Sequence, residues 1–126
     1  MLVDDNIHDI FFHERTIWKN NSANNIVAKQ TGEAALQYLK EEIAHKNAPP
    51  DLLFLDINMP RMNGWEFLEE YEKLDKEFKS KTVVVVLTTS SNDDEGEKAK
   101  ALNCISDFKT KPLTTLMLDE IIDKYL

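Results

Sequence analysis

Residues Val83-Val84-Val85-Val86-Leu87 form an unbroken apolar run in which four of the five side chains are β-branched. β-Branched side chains favour extended backbone, and a run with no polar alternation has no face to offer water. A strand of this kind needs cover on both sides. That requirement points to a sheet held between two layers of helices.

The rest of the chain supplies such layers in alternation. Met1-Leu2-Val3 reads as a short first strand. Ile7, Ile10, Phe11, Ile17 and Trp18 recur near helical spacing, so a first helix is expected after Asn6, ending in the Asn-rich stretch from Asn20 to Asn25. Ile26-Val27-Ala28 reads as a second strand. Thr31-Gly32 is a turn, and Ala34, Ala35, Leu36, Tyr38, Leu39 and Ile43 mark a second helix that stops before Pro49-Pro50. Leu52-Leu53-Phe54-Leu55 is a buried third strand. A turn from Met59 to Gly64 leads to a third helix carrying Trp65, Phe67, Leu68, Tyr71 and Leu74. Beyond the valine run come a fourth helix from about Asp93 to Leu102, a strand around Ile105 to Phe108, and a last helix through Leu116, Met117, Ile121 and Tyr125. Strict alternation of strand and helix predicts an α/β fold, a five-stranded parallel sheet wound on both faces by right-handed crossovers.

The 126 residues suffice for one domain, 1–126, and the final helix runs to Leu126, so no output domain is expected in this chain. Fifteen Lys and Arg against 23 Asp and Glu give a formal charge of −8, which argues against direct binding to a phosphate backbone. No apolar stretch approaches the roughly 20 residues of a membrane span, and the start lacks the features of a secretory signal, so a cytoplasmic location is expected. The single Cys104 can form neither an internal disulfide nor a cysteine-based zinc site, and reads as a packing residue.

In doubly wound folds, functional groups collect beyond the carboxyl ends of the strands. Here those ends carry Asp4-Asp5, Asp56, Thr88-Thr89 and Lys111. Single loop acids are ordinarily just solvated. Three at successive strand ends would converge if the first and third strands are neighbours, and converging carboxylates raise a pKa or recruit a cation, with oxygen-only ligands suiting Mg2+. Lys111 before Pro112 places an ammonium at the same rim, where it could pair with Asp56 or neutralise a phosphoryl oxygen. Thr88 or Thr89 offers a hydroxyl at the same rim, although a threonine there is as readily a cap for the next turn. His8, His13 and His45 lack the spacing of a metal site, and Trp18 and Trp65 read as packing residues. The acidic run Asp93-Asp94-Glu95 suits a helix N-terminus.

The blocks Val3-Asp4-Asp5-Asn6, Asp56-Ile57-Asn58-Met59-Pro60-Arg61-Met62-Asn63-Gly64, Leu87-Thr88-Thr89 and Lys111-Pro112 together resemble the signature of response-regulator receiver domains of two-component signalling. The resemblance covers almost the whole chain, and the Asp-x-x-Met-Pro-x-Met-Asn-Gly block is its most specific part. It implies the flavodoxin-like strand order 2-1-3-4-5. It implies that Asp56 accepts a phosphoryl group from a sensor histidine kinase or a histidine phosphotransfer protein, and that Mg2+ is held by Asp5, Asp56 and the Asn58 backbone carbonyl, with Asp4 acting through water. Thr88 and Lys111 would then bind phosphoryl oxygens, and Phe108 would occupy the aromatic switch position, where a plain core phenylalanine is the alternative. Output would pass to a downstream protein through the face made by the fourth helix, the fifth strand and the last helix.

Two departures from the family pattern stand out. About four residues that usually precede the Leu-Val-Asp-Asp block are missing, which leaves the first strand truncated, and Thr89 stands where a smaller residue is usual. Three rival functions remain. The most serious is a receiver-like interaction domain that is never phosphorylated, against which the full set Asp4, Asp5, Asp56, Thr88 and Lys111 argues. A haloacid-dehalogenase-type phosphatase would want an Asp-x-Asp pair after the first strand, where Asp4-Asp5-Asn6 stands. A flavodoxin-like binding module would want a hydroxyl- and glycine-rich first loop in place of this acidic one.

Overall fold

A computed structural model of the chain describes residues 1–21, 23–89 and 104–126. The described strands are β1 (Leu2–Val3), β2 (Ala28–Lys29), β3 (Leu52–Leu55), β4 (Val83–Thr88) and β5 (Asp107–Thr110). They form one parallel sheet in the order β2-β1-β3-β4-β5. The described helices are α1 (Ile7–Lys19), α2 (Gly32–Ala44), α3 (Gly64–Glu72), the single turn α4 (Lys76–Lys79) and α5 (Thr115–Tyr125). The helix expected at 93–102 lies outside the described residues.

Register explains how the valine run is used. Paired residues of neighbouring parallel strands share a face, and successive residues alternate. Val3, Leu53, Leu55 and Val84 face one side, where Ala35, Leu36 and Leu39 of α2 and Phe67, Leu68 and Tyr71 of α3 cover them. Leu2, Phe54, Val85 and Leu87 face the other, against Ile10 and Ile17 of α1 and Leu118 and Ile121 of α5. The sheet therefore divides two cores, as its uniformly apolar central strands require.

Local chemistry sets the helix starts. The side chains of Asn6, Thr31, Asn63 and Thr114 accept backbone N–H groups in the first turns of α1, α2, α3 and α5, and Asn63 with Glu66 forms a reciprocal capping box.

Several boundaries differ from the sequence expectation. β2 begins two residues later than Ile26, because the β1 partner is itself only two residues long. β4 extends to include Thr88, and β5 spans Asp107–Thr110, two residues further on than expected, where its ladder follows Val85 to Thr88. On α1 the buried residues are Ile10, His13 and Ile17, whereas Ile7, Phe11 and Trp18 are exposed. Trp18 is thus not a core residue. The face meeting the sheet runs 10-13-17, so Ile10 and Ile17 of the expected stripe lie on it, and Ile7, Phe11 and Trp18 lie beside it. Among the described residues no helix is long and apolar enough to cross a membrane.

Candidate functional site

β1 and β3 are neighbours, so the acids that follow them meet. The backbone N–H of Asp56 donates to the Val3 carbonyl (2.9 Å), and that of Asp4 donates to the Lys29 carbonyl (3.1 Å). Sheet hydrogen bonds thereby fix both residues at the carboxyl end of the sheet. Asp4 and Asp56 are buried and Asp5 is exposed, and one carboxylate oxygen of each lies within 4.8 Å of the others. A cavity of about 440 Å³ lies elsewhere, at the opposite end of the strands near Met1, Pro49, Leu52 and Leu126, and contributes nothing to this cluster.

Lys111 enters the cluster from the end of β5. Its side chain is only 7% exposed, and Nζ lies 2.7 Å from Asp4 Oδ2, 2.9 Å from Asp9 Oδ2 and 3.4 Å from Asp56 Oδ2. Burial pulls its pKa down, but the hydrogen bonds to Asp4 and Asp9 and the charge of Asp56 outweigh that and leave it raised. Lys111 is a fixed cation. Asp56 moves upward, to about 6, chiefly because burial disfavours its charge and secondarily because Asp4 is close, with Lys111 and the Asn58 N–H opposing. That amide donates to Asp56 Oδ1 at 3.2 Å.

An all-oxygen set with one solvent-facing carboxylate fits a hard divalent cation such as Mg2+. Asp4 is the least available of the three. Its Oδ1 accepts the Asn6 N–H at 2.9 Å and its Oδ2 accepts Lys111, which suits contact with a cation through water.

The turn after Asp56 is shaped by a close approach. Gly64 N–H donates to the Ile57 carbonyl at 2.8 Å, and a Cβ on Gly64 would stand 2.7 Å from Ile57 Cα and 2.9 Å from the Asp56 carbonyl oxygen. Only glycine lets α3 start this near the strand end.

Thr88 closes β4 and is fully buried, while Thr89 is exposed. Phe108 is half-buried opposite Val86, and Thr110 is opposite Thr88. Thr88 and Phe108 are therefore diagonal neighbours on one face of the sheet. The expected output face is described only in β5 and α5.

Two residues of the site were not foreseen. Asp9, in the first turn of α1, is a direct partner of Lys111, and the buried His13 one turn later accepts the Leu113 N–H at Nε2 (3.4 Å). Burial first, and then Lys111, lower the His13 pKa and keep the ring neutral enough to accept. Its spacing from Ile10 and Ile17 was the available signal, since 10-13-17 is one helical face. Asp9 left only the ordinary sign of an acid in a first turn.

A parallel doubly wound sheet with an acidic cluster and a buried lysine at its carboxyl edge defines the receiver class of signalling domain. Residues 1–123 match the response regulator receiver domain, and the chain belongs to that family. The chain is 32% identical over 96 residues to the response regulator Rcp1 of a Synechocystis species, covering 75% of this chain and 64% of that protein. It is 29% identical over 114 residues to the probable methanogenesis regulatory protein FilR2 of Methanothrix harundinacea, covering 90% and 72%. A crystal structure of a two-component response regulator from Cytophaga hutchinsonii superposes with a TM-score of 0.90 at 29% identity, over 98% of this chain and 92% of that one. The manganese-bound form of Rcp1 superposes with a TM-score of 0.73 at 26% identity, over 99% and 91%.

Proposed function

We propose that this receiver domain is a phosphorylation-operated switch in which Asp56 takes a phosphoryl group from a histidine kinase or a histidine phosphotransfer protein, with Mg2+ as the required cation. The observation that carries the reading is the position of Asp56: a buried carboxylate at a strand end, beside two further carboxylates and 3.4 Å from a lysine fixed as a cation. A carboxylate oxygen of Asp56 attacks phosphorus, the new O–P bond forms as the donor's N–P bond breaks, and the electron pair leaves on the imidazole nitrogen. Asp56 must be ionised to act, and Lys111 supports that form.

Asp5, Asp56 and the Asn58 carbonyl would hold the cation, with Asp4 contacting it through water. When bound, it offsets the negative charge that gathers between donor and acceptor oxygens. Thr88 and Lys111 then receive phosphoryl oxygens. Movement of Thr88 opens room diagonally across the sheet for Phe108, and the surface around β5 changes its preference for a downstream protein. The similar response regulator Rcp1 has been solved in a Mn2+-bound form, which supports a divalent cation here.

A receiver-like domain that is never phosphorylated would need neither an ionised Asp56 nor a cation beside it. Incubation with acetyl phosphate and Mg2+, read by intact mass, decides between the two. A phosphoryl adduct in wild type that is lost in Asp56→Asn is the expected result, and absence of any adduct would favour the unphosphorylated reading.

A further inference from the structure

Lys111 is held from two sides, by Asp4 after β1 and by Asp9 on α1. Its ammonium has three N–H donors, and the two short contacts go to Asp4 and Asp9, at 2.7 and 2.9 Å, while Asp56 is left at 3.4 Å. Asp9 is itself anchored, because its backbone N–H donates to the Asn6 side chain that caps α1. One turn on, His13 accepts the N–H of Leu113, two residues past Lys111. The same helix face thus grips the Lys111-Pro112-Leu113 segment twice, once by charge and once by a backbone hydrogen bond. His13 and Leu113 are buried, so this second grip leaves the segment little freedom. Asp9, by contrast, is partly solvent-facing, its side chain 36% exposed, and its grip on Lys111 can be exchanged at modest cost.

We propose that Asp9 is a positioning residue that competes with the phosphorylated Asp56 for Lys111, holding the ammonium on the α1 side of the cluster until phosphoryl oxygens displace it. The inference rests on the phosphoacceptor reading of Asp56 given above. Phosphoryl oxygens are strong charge-assisted acceptors, and Lys111 can meet one by surrendering its Asp9 contact while keeping Asp4. Asp9 then acts as a brake on the switched state, set by one carboxylate that makes no contact with the phosphoryl group.

The test is a double-mutant cycle on beryllofluoride binding in saturating Mg2+, with wild type, Asp9→Asn, Lys111→Ala and the double variant. Asp9→Asn is expected to tighten beryllofluoride about two- to fivefold, the size of one partly exposed charged contact. In the Lys111→Ala background the same change is expected to do nothing, since Asp9 acts only through Lys111. A second measurement reads the unliganded protein: solvent exchange of the Lys111 ammonium protons by NMR is expected to speed up several-fold in Asp9→Asn. Unchanged or weaker binding by Asp9→Asn would overturn the brake, and tightening that persists without Lys111 would reduce it to long-range charge. A wild type that ignores beryllofluoride would instead overturn the phosphoacceptor reading, and this inference with it.

Discussion

The backbone N–H of Lys111 donates to the carbonyl of Thr88 at 2.7 Å, so the two side chains expected to receive phosphoryl oxygens are tied by their main chains across the β4–β5 ladder. A shift of either side chain is therefore made against one shared backbone. This is the geometry in which a small change at Asp56 can reach β5.

Thr88→Ala is expected to accept a phosphoryl group nearly as well as wild type but to transmit it weakly. The measurement is the change in amide chemical shifts over residues 107–110 and α5 on adding beryllofluoride and Mg2+. Equal responses in wild type and variant would remove Thr88 from the coupling path. A Phe108→Ala variant that still responds fully at α5 would remove Phe108.

Removal of one ligand should expose the need for a cation. Asp5→Ala leaves two carboxylates and is expected to weaken Mg2+ binding on the order of tenfold or more, measured by calorimetry. Phosphorylation of the wild type in excess chelator should fall to background. Undiminished labelling there would refute the metal requirement.

Asp56 should cost the metal-free fold stability near neutral pH. Its folded pKa of about 6 lies above the ordinary aspartate value of 3.8, so the folded state binds the proton more tightly. The contribution is fully present below pH 3.8 and is lost as pH rises through about 6. Asp56→Asn escapes that loss and should be more stable than wild type at pH 7, by on the order of 2 kcal/mol, with the gap closing toward pH 4. Chemical denaturation in chelator at several pH values measures it. A gap that does not change with pH would mean that the carboxyl titrates normally.

Gly64→Ala should lower stability by about 1–3 kcal/mol, because the new Cβ meets backbone atoms of Asp56 and Ile57 that cannot turn aside. Gly32→Ala should be milder, since the atoms nearest its Cβ belong to the flexible side chain of Met62. Thermal melts of the two variants should rank in that order, and the reverse ranking would show that the α3 start can shift away from Asp56.

By itself, the sequence determined the architecture and the chemical inventory of this domain. The valine run demanded cover on two faces, Leu52–Leu55 was placed to the residue, and Asp4, Asp5, Asp56, Thr88 and Lys111 were identifiable because strand ends in such a fold converge. These features are legible because they rest on local propensity and on spacing along the chain. What only the tertiary structure decided is how the single ammonium of Lys111 divides itself among Asp4, Asp9 and Asp56, and that His13 and not Trp18 faces the sheet. Lys111 and Asp9 are 102 positions apart, and no periodicity encodes which of several nearby acids a lysine will reach. That choice follows from distances fixed when α1 and the end of β5 pack against the same edge of the sheet.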